Sequence, residues 1–157
     1  MMDTTIQTTV TDAGNTERQV IIDLLKAEKL PVDDLPLYLD NFFVAIENEK
    51  IIGAIGLEIY GDCGLLRSLV VDRKHRNKNI ASALVGQLES HAKAKGLNCM
   101  YLLTETAAQY FEKKGYQTLT RDEVPDELKQ SSEFSHVCPV SAVVMTKELK
   151  TQADILS

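Results

Sequence analysis

Arg73, Lys74, Arg76 and Lys78 stand in one short run, with His75 among them. The run follows the apolar stretch Leu69-Val70-Val71 and precedes a segment whose apolar residues Ile80, Leu84 and Leu88 recur at i, i+4 and i+8. A strand, a basic loop and a helix in that order can hold an anion. The N–H groups of a helix N-terminus point outward, and basic side chains add charge. That order of elements is the architecture of a diphosphate cradle. The same run also reads as a solvated surface loop; its place between strand and helix favours the anion site. A tight turn against an anion usually calls for glycine. Asparagine, present at 77 and 79, is the non-glycine side chain that best tolerates the left-handed backbone.

Arg67 and Ser68 interrupt the apolar strand from Leu65 to Val71. A charge buried there without a partner costs several kcal/mol. Arg67 therefore either pairs with a carboxylate of the protein, with Glu58 the nearest candidate, or presents its planar fork to a substrate carboxylate. Glu58 and Glu105 are the candidate general bases for any chemistry that must deprotonate an amine. Each also reads as an ordinary surface residue at a strand end. Cys63, Cys99 and Cys138 are odd in number and lack metal-ligand spacing, which points to reduced thiols, no metal site and a cytoplasmic location. Cys138 has His136 close by but no His–Asp pattern to activate it. Phe134 to Ser141 reads as a wall over a pocket, with Phe134 and Ser141 as its contacts.

These residues need a frame. Residues 4–10 alternate and are rich in β-branched types, so they read as a strand. A helix is expected over 16–29, and a short helical turn over Leu35 to Leu39. Phe42–Ile46 and Ile51–Tyr60 read as a hairpin around the turn at 47–50, followed by a strand over Leu65–Val71. Gly53 and Gly56 inside the second strand imply a bulge or a close backbone approach. Further on come a helix over Asn79–Lys95, a strand over Cys99–Leu103, a helix ending near Lys114 and a strand over Tyr116–Thr120. A short helix over Pro125–Gln130 and a last strand over Ala142–Thr146 complete the frame. The pattern implies one α/β domain over residues 1–157, with a mixed, mostly antiparallel sheet and helices on both faces.

Bulk properties narrow the function. The chain of 157 residues is long enough for a real core and carries a formal net charge of −6, which argues against broad nucleic-acid binding. No apolar run approaches the roughly 18–20 residues of a membrane span.

The run Leu69-Val-Val71…Arg76-Asn-Lys-Asn79-Ile-Ala81 resembles motif A of the GCN5-related N-acetyltransferases (GNAT). Leu69, Val71, Arg76 and Ala81 fit the motif; Asn77 and Asn79 replace its central glycines and Arg73 its proline. Ala108-x-x-Phe111-x-x-x-Gly115-Tyr116 and the order of elements from about residue 4 to 148 add to the likeness. Within the family, segments 57–71, 102–116 and 133–142 are similar to small acetyltransferases encoded beside arsenic-resistance genes and to short amino-acid N-acetyltransferases. The resemblance implies acetyl-CoA as co-substrate and direct acetyl transfer to the amine of a small molecule, an amino acid or like compound. It implies that residues 76–81 wrap the pyrophosphate, that Leu69, Val70 and Val71 receive the pantetheine through backbone groups, and that Thr104 and Phe111 flank it. Arg67, Ser68, Phe134 and Ser141 would face the acceptor. Phe111 stands where many relatives carry a tyrosine that protonates the leaving thiolate, so solvent, Tyr101 or Ser141 would serve instead. Two other readings stay open: a CoA-binding sensor with little turnover, and a protein or peptide N-acetyltransferase. A homodimer is also left open.

Overall fold

The computed structural model describes residues 8–30, 32–33, 35–76, 79–131 and 142–149. Its strands are β1 (Thr8–Asp12), β2 (Phe42–Glu47), β3 (Lys50–Tyr60), β4 (Cys63–Val71), β5 (Cys99–Thr104), β6 (Gln117–Leu119) and β7 (Val143–Glu148). Its α-helices are α1 (Arg18–Ala27), α2 (Ile80–Ala94), α3 (Ala108–Lys113) and α4 (Asp126–Lys129). The strands form one mixed sheet in the order β1-β2-β3-β4-β5-β7-β6. The pairs β1–β2, β2–β3, β5–β7 and β6–β7 are antiparallel, and β4–β5 is parallel. This is the mixed, mostly antiparallel sheet that the sequence implies.

The chain divides into two compact units, and β3 and β4 each run through both. One unit comprises Met1–Gly56 and Ser68–Leu88. Its core joins Ile21 and Leu25 of α1 to Leu35, Leu39, Phe42, Val44, Ala54 and Val70. Burying each of these side chains larger than alanine contributes roughly 1.5–3 kcal/mol. Two glycines let β3 fit here. A Cβ on Gly53 would lie 3.0 Å from the Val70 carbonyl oxygen, and one on Gly56 would enter the Phe42 ring. The β2–β3 register also shifts between Ala45 and Ile46, so Gly53 stands beside a bulge as well as at a close approach.

The short helical turn expected over Leu35 to Leu39 does not form; the chain bends at Leu37 and Tyr38 and is otherwise irregular there. Pro36 disfavours a helical conformation at Leu35. Arg18 instead donates to the Pro36 carbonyl at 2.5 Å and to the Leu35 carbonyl at 3.4 Å, while Leu35 and Leu39 turn into the core. The opening strand is described from Thr8, and residues 4–7 lie outside the described residues.

The second unit comprises Leu57–Arg67 and Glu89–Ser157. Leu65, Val124, Leu128 and Val144 form one buried cluster within it. Tyr116 is buried and donates to Glu89 at 3.0 Å, and Lys147 closes the group on Glu89 at 3.0 Å.

Candidate active site

The basic loop belongs to the first unit. Asp72 follows β4 and caps a 3-10 turn over Arg73–His75, its carboxylate accepting from the Lys74 N–H at 3.3 Å. The Asp72 N–H in turn donates to the Ile52 carbonyl at 2.7 Å, fixing where the loop leaves the sheet. His75 lies between two carboxylates, with Nδ1 3.3 Å from Asp72 and Nε2 3.0 Å from the buried Glu47. Burial pushes the Asp72 carboxyl up, but the Lys74 N–H and His75 outweigh it and hold the group below its usual range.

Arg76 is extended (φ −68°, ψ 159°), half exposed, and donates to Glu28 at 2.6 Å. Arg73 donates to the other oxygen of Glu28 at 3.0 Å. Glu28 follows α1 and is the resident counter-ion of this loop. The Arg76 hydrogen bond, with help from Arg73, holds its carboxyl below the ordinary value against the opposing effect of burial.

Asn79 takes up the left-handed backbone (φ 62°), and its carbonyl accepts from the Ala83 N–H at 3.1 Å, starting α2. The outward N–H groups of the first turn therefore lie next to the basic loop, at the positive end of a helix of 15 residues. Ile80, Leu84, Val85, Leu88 and Ala92 are buried along one face of α2. Leu69 and Val71 are partly buried and Val70 is buried, while Ala81 is partly buried on α2. Asn77 and Lys78 lie outside the described residues.

Ser68 also has a left-handed backbone (φ 59°), in the middle of a strand. A non-glycine residue there stores strain, and such strain gathers at functional sites. The three paired rungs of β4 and β5 are Cys63↔Cys99, Gly64↔Met100 and Leu65↔Tyr101, and Arg67 and Ser68 lie just past the last of them.

Arg67 belongs to the second unit. Its side chain is 1% exposed and donates to Glu58 at 2.9 Å. Tyr60, two residues along β3 and so on the same face as Glu58, donates to the other carboxylate oxygen at 2.9 Å. Burial, then the Glu58 carboxylate, pushes the Tyr60 hydroxyl up to about 12, while Ser131 opposes the shift through a further hydrogen bond. The arrangement is a covered arginine and a tyrosine sharing one carboxylate. With both carboxylate oxygens already accepting a hydrogen bond, Glu58 is a better anchor than base.

Of the remaining candidates, Thr104 ends β5 and accepts from the Ala107 N–H at 3.0 Å, leading the chain into α3. Glu105 is exposed just after β5. Phe111 is buried and meets Tyr110 and Tyr116 edge-on at 5.2 and 5.5 Å, so it is a core residue of α3. Phe134, His136, Cys138 and Ser141 lie outside the described residues. The structure thus brings Arg67 to Glu58 and gathers Arg73, Arg76 and Asn79 around the start of α2. Glu28 and Tyr60 are additions that the sequence reading lacks. Tyr60 is legible from strand alternation with Glu58. Nothing in the sequence links Glu28 to arginines 45 and 48 residues further on.

Comparison with known proteins gives the same outline. Residues 39–118 match the model of the acetyltransferase (GNAT) domain family. An uncharacterized N-acetyltransferase from Chlorobaculum tepidum is 28% identical over 101 residues, which is 64% of this chain and 64% of that protein. An amino-acid acetyltransferase from Ectopseudomonas mendocina is 30% identical over 64 residues, 41% of this chain and 15% of that protein. The chain thus matches less than two thirds of the length of either relative. Among solved structures, N-acetylglutamate synthase from Neisseria gonorrhoeae complexed with coenzyme A and N-acetyl-glutamate superposes with a TM-score of 0.79 at 17% identity. The match covers 92% of this chain and 35% of that one, and it is a likeness of fold.

Proposed function

This chain belongs to the GNAT acetyltransferase family, and from that premise we propose that it is an acetyl-CoA-dependent N-acetyltransferase whose acceptor is a small carboxylate-bearing amine. An amino acid or amino-acid-like compound fits that description. The observation that carries the reading is the start of α2. A strand end, a basic loop and a left-handed Asn79 deliver a helix N-terminus to an anion. Arg76, Lys78 and the backbone of residues 77–81 would hold the diphosphate, and the backbone of Leu69, Val70 and Val71 the pantetheine. Thr104 and Phe111 would flank the pantetheine.

In the transfer, the acceptor nitrogen attacks the thioester carbonyl carbon, the C–N bond forms and the C–S bond breaks. The nitrogen's proton leaves to a base or water, and the CoA thiolate takes a proton from solvent. Strain at Ser68 supports a role for this part of β4 in turning a backbone N–H towards the developing oxyanion. Arg67 would orient the acceptor carboxylate while held by Glu58, its planar fork being suited to a carboxylate. Because Glu58 is held by Arg67 and Tyr60, Glu105 or a water relay is the better base. Phe134 and Ser141 would complete the acceptor side. Amino-acid acceptors are supported by the likeness to the Ectopseudomonas amino-acid acetyltransferase and by the N-acetyl-glutamate in the Neisseria complex.

Titration calorimetry with acetyl-CoA, followed by thiol release over a panel of amines, tests this. Binding with thiol release on α-amino acids is expected. Binding with no release on any amine would favour a CoA sensor, and labelling of proteins by radioactive acetyl-CoA a protein acetyltransferase. No binding would remove all three.

A further inference from the structure

Cys63 and Cys99 play no part in the acetyl-transfer reading. They are the first residues of β4 and β5, and they are direct partners in the parallel register. Partners on neighbouring strands project to the same face of a sheet, about 4.8 Å apart. That spacing lies within the range of roughly 4.4–6.8 Å between the α-carbons of a disulfide. The sulfurs are 2.8 Å apart. Both residues are free thiols, neither fully buried, so a small reagent can reach them.

We propose that Cys63 and Cys99 are a site of reversible oxidative cross-linking, in which a low-molecular-weight disulfide converts the two thiols to an intramolecular disulfide. One protein thiolate attacks the reagent disulfide, forms a mixed disulfide and expels the first small thiolate. The second protein sulfur then attacks the protein sulfur of the mixed disulfide and expels the second small thiolate. Two protein thiols are oxidised, one reagent disulfide is reduced to two thiols, and the two protons go to the products or to solvent. The register removes the usual obstacle, because bond formation needs a side-chain rotation and no change in strand pairing.

The cross-link has a structural consequence. It joins residues 36 positions apart, and the enclosed segment contains the whole basic loop and all of α2. Closing that segment restricts the unfolded chain more than the folded one. The oxidised protein is therefore expected to melt at a higher temperature than the reduced one. Burial, and Cys99 beside it, push the Cys63 thiol up to about 12. Exchange at neutral pH should accordingly be slow and should quicken as the medium is made alkaline.

The test uses the full chain, equilibrated from both the reduced and the oxidised side in mixtures of reduced and oxidised glutathione. Alkylation and peptide mapping then identify the products. The expected result is a peptide pair joined through Cys63 and Cys99, an intact mass lower by two hydrogens, and Cys138 still alkylated. The oxidised form should melt higher, and dithiothreitol should restore all three thiols and the lower melting temperature. Cys63→Ser and Cys99→Ser should each form a glutathione adduct on the remaining partner and no internal bond. Cys138→Ser should cross-link as the unaltered chain does. Separate glutathione adducts on Cys63 and Cys99 at equilibrium, two alkylatable thiols under fully oxidising conditions, or a bridge to Cys138 would each overturn the proposal.

Discussion

Among the described residues, arginine–glutamate contacts stand in two opposite settings, one exposed and one covered. In the first unit, Glu28 holds Arg73 and Arg76, which are 73% and 50% exposed. In the second, Glu58 holds Arg67, which is 1% exposed. An exposed arginine exchanges its carboxylate for water or for another anion at little cost. A covered one cannot leave its partner without stranding both charges. The first contact is therefore suited to release its arginines to an arriving phosphate. The second is suited to hold one guanidinium in a fixed orientation. Under the proposed function, the first contact would serve to attract a charged co-substrate and the second to orient an acceptor.

The largest expected effect comes from the covered pair. Arg67→Ala leaves the Glu58 carboxylate without its cation, and breaking such a pair is expected to cost about 3–5 kcal/mol in a denaturant titration. Arg67→Lys keeps the charge and loses the fork. It should fold, and it should raise KM for a carboxylate-bearing acceptor more than it lowers kcat. An unchanged KM for that acceptor would end the assignment of Arg67 to substrate. The exposed pair should respond the other way round. Arg76→Ala is expected to leave the fold nearly unaltered and to weaken CoA binding by about tenfold, the worth of one charge-assisted hydrogen bond. Loss of stability without loss of affinity would reverse the roles given to the two contacts.

A smaller effect concerns the backbone that aims the helix. Asn79→Ala forces a residue with a Cβ and no local hydrogen-bonding group into φ 62°, at an expected cost of about 1–2 kcal/mol. Asn79→Gly should be neutral or stabilising in the same melt. Equal behaviour of the two variants would show that the left-handed turn is not what holds the loop. Tyr60 gives a pH signature for the covered cluster. Its hydroxyl titrates at about 12, against an ordinary value of 10.0, so the unfolded chain loses that proton first. Its contribution to stability is complete below about 10 and is lost as pH rises towards about 12. Tyr60→Phe should flatten that part of the alkaline unfolding curve, and an unaltered curve would count against the shared carboxylate.

The two contacts also differ in how far the sequence reveals them. An arginine inside an apolar strand demands a partner, and Glu58 is the carboxylate that the β3–β4 hairpin brings within reach. Alternation along β3 adds Tyr60 once the strand is recognised. The start of α2 is legible for a similar reason, since apolar periodicity marks the helix and asparagine marks its left-handed start. The sheet follows from the same local patterns, and the failed helical turn over Leu35 to Leu39 yields to a rule about Pro36. Glu28 is different. It depends on how the end of α1 packs near the loop after β4, and no local pattern encodes a contact across 48 residues. The Cys63–Cys99 pairing is hidden likewise, because it rests on the register of two strands separated by a whole helix.

The smallest expected effect is the one that bears most directly on the comparison. Glu28 offers the same chemistry to Arg73 and Arg76 that a phosphate would, two oxygens of one anion. If the contact is a stand-in for the co-substrate, binding CoA must displace it, and the measured affinity is reduced by what the displacement costs. Glu28→Gln keeps the shape and removes the charge, so it should tighten CoA binding severalfold and steepen its dependence on salt. Lowering the pH through the depressed range of the Glu28 carboxyl should have the same sense, since the contact is intact above the ordinary carboxylate value and is lost as that group takes up a proton. If Glu28→Gln instead weakens CoA binding, Glu28 holds Arg76 in place for the phosphate. The exposed contact would then be an orienting device like the covered one, and exposure alone would not distinguish the two.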